Sequence, residues 1–261
     1  MTQLRLSLIQ TDLQWQAAAQ NRHVLQQQLM PLAGLTDLIL LPEMFTSAFS
    51  TNAGAVAEDY PGPTLLWMQN MAQAVDAAIT GSIAVTVDGK RYNRLLFVKP
   101  DGSVEHYDKR HLFRMLGEDK RYIGGCKKLL VQWRGWRILP LVCYDLRFPV
   151  WCRYTNAEPY DLLLFVSNWP AARNQHWRTL LQARAIENLA WVAGVNRVGT
   201  DGYNLDYLGH SAVINPQGTE IMQATTTPGV FNSSISMQEL QIWREKFPAW
   251  MDADEFDLKL N

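Results

Sequence analysis

The sequence predicts an α/β fold with helices packed outside sheet, on three observations. Strand-like and helix-like segments alternate along the chain. Several of the strand-like runs are apolar throughout, as strands covered on both faces are. No Pro/Gly/Ser-rich linker, low-complexity tract or repeat of roughly 20–50 residues divides the chain. The 261 residues, 48% of them hydrophobic and ten of them Trp, suffice for one large core. We expect one domain over residues 1–261, with a C-terminal tail from about 236 contributing to packing or dimerisation.

The elements follow in order. LRLSLIQ (Leu4–Gln10) alternates apolar and polar side chains, which predicts a strand. Thr11 and Asp12 offer capping oxygens, and Trp15–Met30 has helical spacing. DLILL (Asp37–Leu41) is a short buried strand, and Thr64–Ala78, entered through Pro61-Gly62-Pro63, is a second helix. Ile79–Val87 and Arg91–Lys99 flank Asp88-Gly89, a hairpin signal. Leu129–Trp133 and Arg137–Cys143 pair across Arg134-Gly135, and DLLLFV (Asp161–Val166) is another buried strand. Gln175–Trp191 is a helix whose Trp177, Leu180, Leu181, Ala185 and Leu189 share a face. Val192–Val195, Ser211–Ile214 and Glu220–Gln223 complete the strand set, and Met237–Phe247 is helical. So many strands fit one long sheet or two stacked sheets, and periodicity leaves both open.

Composition narrows the partners. The formal charge is -1, from 24 basic and 25 acidic residues with no run of either sign, which points away from nucleic acid. MTQLRLSLIQTD lacks the marks of an export signal, and no apolar run approaches the ~18 residues that span a bilayer. The expectation is a cytoplasmic protein with no membrane partner. Cys126, Cys143 and Cys152 match no zinc spacing, and no HxH, HxxxH or CxxC occurs, so neither a disulfide framework nor a metal site is expected.

Three polar residues sit where chemistry is plausible. Glu43, in LILLPEMF, follows a buried strand and a proline, where a carboxylate held near apolar walls can exchange protons near neutral pH. Lys109, in HYDKRHLF, carries a positive charge suited to an oxygen that gains charge in a transition state. Cys143, in LPLVCYDLRFP, ends a strand, where ligands bind in α/β sheets; N–H groups of a following turn would favour its thiolate. Each has a plainer reading: a solvated loop acid, a surface lysine, a small buried hydrophobe. Together they form a base, a charge stabiliser and a nucleophile for acyl transfer. A Cys–His scheme would draw on His23, His106, His111, His176 or His210, with His111 closest to Lys109 in sequence and equally suited to bracing the loop.

LPEMF, YDKRHLF, GEDKRYIGG and VCYDLRFP resemble, in that order, the signature blocks of the nitrilase superfamily of carbon–nitrogen hydrolases. The similarity runs from the first strand to at least GHSAVINPQG. The resemblance implies a four-layer αββα sandwich of two stacked mixed sheets with outer helices, a homodimer, and no cofactor. It also implies a catalytic set at Glu43, Lys109 and Cys143, with Glu118 holding the lysine and the substrate. VSNWPAARNQHWRTLLQARAIEN followed by VNRVGTDG looks most like the ω-amidases, which act on 2-oxoglutaramate, 2-oxosuccinamate and related amides. Val150 stands where the CYDxRFPE block of many relatives ends in Glu.

By the same resemblance, Lys109 and the Tyr144 backbone N–H stabilise the oxyanion. Arg173 is a candidate clamp for a substrate carboxylate, with Phe45, Phe49 and Trp169 as pocket walls. Arg147 is expected to anchor its loop to Asp145, and Arg184 with Glu187 to form a structural or interface pair. Two enzymatic alternatives are a deaminated glutathione amidase and an N-carbamoyl amine hydrolase. A non-catalytic binding or scaffold protein would be marked by loss of a central residue, and Glu43, Lys109 and Cys143 are all present.

Overall fold

The computed structural model describes residues 3–259, so the outermost residues of the 1–261 expectation lie outside the described part. The first half supplies β1 (Gln3–Gln10), β2 (Leu38–Leu40), β3 (Glu58–Asp59), β4 (Ala78–Val87), β5 (Lys90–Val98) and β6 (Val104–Asp108). The second supplies β7 (Val131–Trp133), β8 (Trp136–Val142), β9 (Leu162–Ser167), β10 (Trp191–Asn196), β11 (Val198–Thr200), β12 (Asp206–Leu208), β13 (Ala212–Ile214), β14 (Glu220–Gln223) and β15 (Gly229–Ser236). The α-helices are α1 (Ala18–Leu29), α2 (Ala53–Val56), α3 (Pro63–Val75), α4 (Pro149–Cys152), α5 (Asn174–Asn188) and α6 (Met237–Lys246). The strands form two mixed sheets, ordered β15-β1-β2-β4-β5-β6 with β3 beside β4, and β14-β13-β10-β9-β8-β7.

The two-residue period of a strand explains the layering. In β2, Leu38 and Leu40 belong to the core shared with the second sheet, whereas Ile39 and the following Leu41 face the helices. In β5, Leu95 and Phe97 point to the sheet–sheet core while Leu96 and Val98 point to the helix side. Outside the first sheet lie α1, through Leu25 and Leu29, and α3, through Met68, Met71 and Val75. Outside the second lies α5, through Trp177, Leu181 and Ala185. The order is helix, sheet, sheet, helix, as the resemblance implied. Stacked sheets, not one long sheet, resolve the ambiguity.

Some expectations need correction. α1 begins at Ala18, not Trp15, and neither Thr11 nor Asp12 caps it. Asp12 is instead bonded to the Arg197 guanidinium at 2.9 Å, and Gln16 sits at φ 52°, outside helical backbone. α3 and α5 stop at left-handed Asp76 and Leu189, so Ala78 and Trp191 open strands. The strand set was incomplete as read: β3, β6, β11, β12 and β15 were missed. β15 pairs antiparallel with β1 from Gln3↔Ser236 to Gln10↔Gly229, yet its polar VFNSSIS sequence carries no apolar run. The segment after 236 does pack on the body: Leu240 is fully buried, and Arg244 donates to the carbonyls of Leu189 and Tyr160.

Candidate active site

The parallel strands of each sheet end on the same side of the molecule, and the polar residues gather at those carboxyl ends. β2 delivers Glu43 and β6 runs directly into Lys109. β8 delivers Cys143, and its parallel neighbour β9 delivers Asn168 and Trp169. The turn carrying Glu43 lies flat on β4, where the Phe45 N–H donates to the Ser82 carbonyl at 3.1 Å. Gly81 permits this approach: a Cβ there would lie 2.8 Å from Leu41 Cβ and 2.9 Å from Phe45 Cδ1.

Cys143 opens a 3₁₀ turn, Cys143–Arg147, in left-handed backbone at φ 42°. A non-glycine residue there is strained unless its surroundings hold it. Asp145 does so. Its buried carboxylate accepts from Val142 N–H (3.1 Å), Tyr107 Oη–H (2.8 Å) and His111 N–H (3.0 Å), and meets His111 Nδ1 at 2.8 Å. On the outer side, Arg184 donates to the Leu146 carbonyl through Nε (3.1 Å) and Nη2 (2.6 Å) while pairing with Glu187 at 2.9 Å. His111 is thus a brace, stacked on Phe148 with centroids 3.8 Å apart.

Glu43, Lys109 and Glu118 are 0%, 1% and 0% exposed, so the plainer surface readings fail for all three. Lys109 Nζ lies 2.8 Å from Glu43 Oε1 and 2.9 Å from Glu118 Oε2. Burial opposes its charge, but Glu118 and Glu43 outweigh this and push its pKa well up. The ammonium is therefore permanent. Burial and the Glu43 charge raise Glu118 against the pull of Lys109. Three buried charges at this spacing are tolerable only because each is paired and hydrogen-bonded.

Burial, then the Glu43 charge, push the Cys143 thiol well up, and Lys109 only partly offsets them. Cys143 Sγ lies 3.8 Å from the Asn168 carbonyl, and Cys143 and Glu43 line the same cavity. A protonated thiol beside a carboxylate can lose its proton as it attacks, and an adjacent ammonium can receive the resulting oxyanion.

A cavity of about 250 Å³ opens on this cluster, lined among others by Glu43, Lys109, Cys143, Tyr144 and Asn168. Phe49, Trp169 and Arg173 also line it. Phe45 does not: its ring is fully buried between β4 and α3, in the helix-side core, 6.0 Å from the Trp67 ring. Arg147 also differs from expectation. Tyr107 and His111 occupy Asp145, so Arg147 turns to the cavity, over Trp169 at 5.2 Å and beside His176 at 3.2 Å. Sequence reading missed Asn93 and Asn168 altogether. Asn93 Nδ2 donates to Glu43 Oε1 at 2.8 Å and to Glu118 Oε1 at 3.2 Å, and Asn168 N–H donates to Glu43 Oε2 at 3.0 Å. It also missed Tyr207, a lining residue whose hydroxyl donates to Asp201 at 2.7 Å.

Comparison with known proteins identifies the family. The carbon-nitrogen hydrolase family model matches residues 5–245. The omega-amidase YafV of Escherichia coli (strain K12) is 50% identical over 261 residues, covering 99% of this chain and 100% of that protein. A 2-oxoglutaramate amidase of Bacillus subtilis (strain 168) is 31% identical over 219 residues, 83% of this chain and 84% of that one. Among solved structures, a CN-hydrolase superfamily protein of Xanthomonas campestris with an arsenic adduct in its active site is similar at TM-score 0.97. It is 49% identical and covers 99% of this chain and 100% of its own.

Proposed function

Because the chain belongs to the carbon–nitrogen hydrolase family, we propose that it is an ω-amidase releasing ammonia from small 2-oxo acid ω-amides such as 2-oxoglutaramate and 2-oxosuccinamate, with Cys143 as nucleophile. One observation carries this reading: a thiol, a carboxylate and an ammonium from distant parts of the chain face one small cavity.

In the first stage Cys143 Sγ attacks the amide carbon while Glu43 takes the thiol proton. Lys109 and the Tyr144 N–H receive the oxyanion, donors of this kind being worth roughly 3–4 kcal/mol each. Glu43 passes its proton to the amide nitrogen, the C–N bond breaks, and ammonia leaves a thioester on Cys143. In the second stage Glu43 deprotonates a water that adds to the thioester carbon. The C–S bond breaks, the 2-oxo acid departs, and the sulfur regains its proton from Glu43. Glu118 reaches no reacting atom in this scheme; it holds Lys109.

The pocket supports an anionic, compact substrate. Arg173 stacks on Phe113 at 5.2 Å and Arg147 on Trp169 at 5.2 Å, and among the described residues neither has a carboxylate partner. Either guanidinium can take the substrate carboxylate in a bidentate pair, while Phe49 and Trp169 wall the methylenes. A volume of about 250 Å³ lies below the roughly 300–1,000 Å³ of drug-sized pockets. That favours a five-carbon amide over tripeptide-sized deaminated glutathione. A homodimer belongs to the same reading, as the family resemblance implies. Sedimentation tests it.

Ammonia release from 2-oxoglutaramate, 2-oxosuccinamate, deaminated glutathione and N-carbamoyl amines, assayed in parallel, tests the assignment. The 2-oxo acid ω-amides should have the highest kcat/KM, and Cys143→Ala should abolish turnover. Wild-type activity in Cys143→Ala, or preference for a carbamoyl amine, would overturn it. Substrate should also protect Cys143 from iodoacetamide; slow, unprotected labelling would instead favour a binding protein.

A further inference from the structure

Among the buried side chains to which the two-stage scheme gives no task is one that touches both glutamates. Asn93 lies on β5, opposite Ala84 of β4, and is fully buried. Its main-chain carbonyl accepts from the Lys109 N–H at 2.9 Å, so the same residue also fixes where the lysine leaves the sheet. Its Nδ2 is shared between Glu43 Oε1 and Glu118 Oε1. The amide's orientation is not arbitrary. Turned over, it would set its oxygen against two carboxylates. As it stands, Oδ1 is buried with no hydrogen-bond partner among the described residues. A buried acceptor left unpaired is costly, so the donor end must hold something worth that cost.

We propose that Asn93 is a positioning residue that divides the work of Glu43 between its two oxygens, tying down Oε1 and leaving Oε2 as the basic atom. Oε1 accepts two donors, Lys109 Nζ at 2.8 Å and Asn93 Nδ2 at 2.8 Å. Oε2 accepts one, the Asn168 N–H at 3.0 Å. The carbonyl of that same Asn168 is the neighbour of Cys143 Sγ, so one residue touches both Oε2 and the sulfur. An oxygen already saturated by donors binds a further proton poorly, and hydrogen bonds to the ionised form favour it. In this division the thiol proton goes to Oε2, and Oε2 passes it to the departing nitrogen. Released from Asn93, the carboxylate turns about its Cγ–Cδ bond, and the proton has a second, unproductive resting place. The groups facing this carboxylate are Lys109 after β6, Glu118 and Tyr122 beyond it, and Cys143 after β8. Asn93 is the neutral donor between the two acids.

This inference rests on Glu43 being the base, and the experiment separates the two. Steady-state kinetics of Asn93→Leu, Asn93→Ser and Glu43→Gln are measured across pH on 2-oxoglutaramate, with circular dichroism as the check on folding. Loss of a charge-assisted donor should lower kcat in Asn93→Leu by roughly 10- to 100-fold, with KM within about threefold. The acidic limb of the kcat/KM profile should move up by about one pH unit, because the ionised base has lost a donor. Asn93→Ser, which keeps a shorter donor, should fall between Leu and wild type on both measures. A folded Asn93→Leu with an unmoved acidic limb overturns the inference, even if kcat falls, since packing alone would do that. Should Asn93→Leu not fold, Asn93→Ser is judged by the same limb. An active Glu43→Gln sinks the base assignment itself; an inactive one beside unmoved Asn93 profiles sinks only this proposal.

Discussion

The two ends of β2 carry two buried carboxylates with opposite fates. Asp37 precedes the strand and Glu43 follows it, 3% and 0% exposed. Asp37 is saturated by arginine: it accepts from Arg5 N–H (2.8 Å), Nε (3.1 Å) and Nη2 (2.8 Å), and from Arg134 Nη1. Burial works against its charge, but Arg5 and Arg134 prevail and hold it below the usual range. Asp161, just before β9, is gripped the same way by Arg137 and Arg244. Glu43 instead meets one lysine and two asparagines and faces a thiol across a cavity. The strand fixes both positions equally. What differs is the partner: an arginine fork fills a carboxylate and gives up no proton, whereas point donors leave one oxygen available.

The sharpest way to break this contrast is Glu43→Gln. Activity should fall by about 10²–10⁴-fold. The thermal midpoint should not drop, because Lys109 keeps Glu118 as its counter-charge. Calorimetry beside the ammonia assay would show it, and a collapsed fold would mean that Glu43 is structural after all. Next, Arg173→Met should reduce kcat/KM by roughly 10- to 100-fold, mostly through KM, if its fork takes the substrate carboxylate. Unchanged KM would assign that task to Arg147. Smaller still, Asp37→Asn should cost about 2 kcal/mol in urea unfolding with kcat unaffected, less than the ~3–5 kcal/mol of a fully buried pair because Arg5 is 44% exposed. Smallest is the pH effect. A carboxyl held below its unfolded value, here 3.8, stabilises the fold above that pH and ceases to as pH falls through the folded value. Wild type should therefore lose stability below about pH 4 more steeply than Asp37→Asn. Parallel slopes would show that the arginines do not discriminate between the two forms.

Much of this was legible in the chain. Glu43 and Cys143 sit where apolar runs end, and the motifs around them and around Lys109 gave the family. The two-sheet sandwich came from the resemblance, not from periodicity, since a strand's alternation says which faces are covered but not by what. Asn93 was illegible because RYNRLLF reads as a polar strand start facing solvent; only the neighbouring loop of Lys109 and Glu118 turns it inward. Phe45 was misread because an aromatic two residues from a catalytic acid belongs equally to a wall or a core, and Gly81 on a distant strand decides. β15 was missed because an edge strand with one covered face needs few apolar residues.

One feature of the rim constrains how the pocket can be altered. Met115 and Leu116 border the opening, and the turn they occupy closes through Glu118, whose Oε2 accepts the Phe113 N–H at 2.6 Å while also holding Lys109. Any change that bends this turn is transmitted to the ammonium. Leu205 lines the cavity without a tie to either glutamate, so redesign of acyl preference in the laboratory has its freest starting point there.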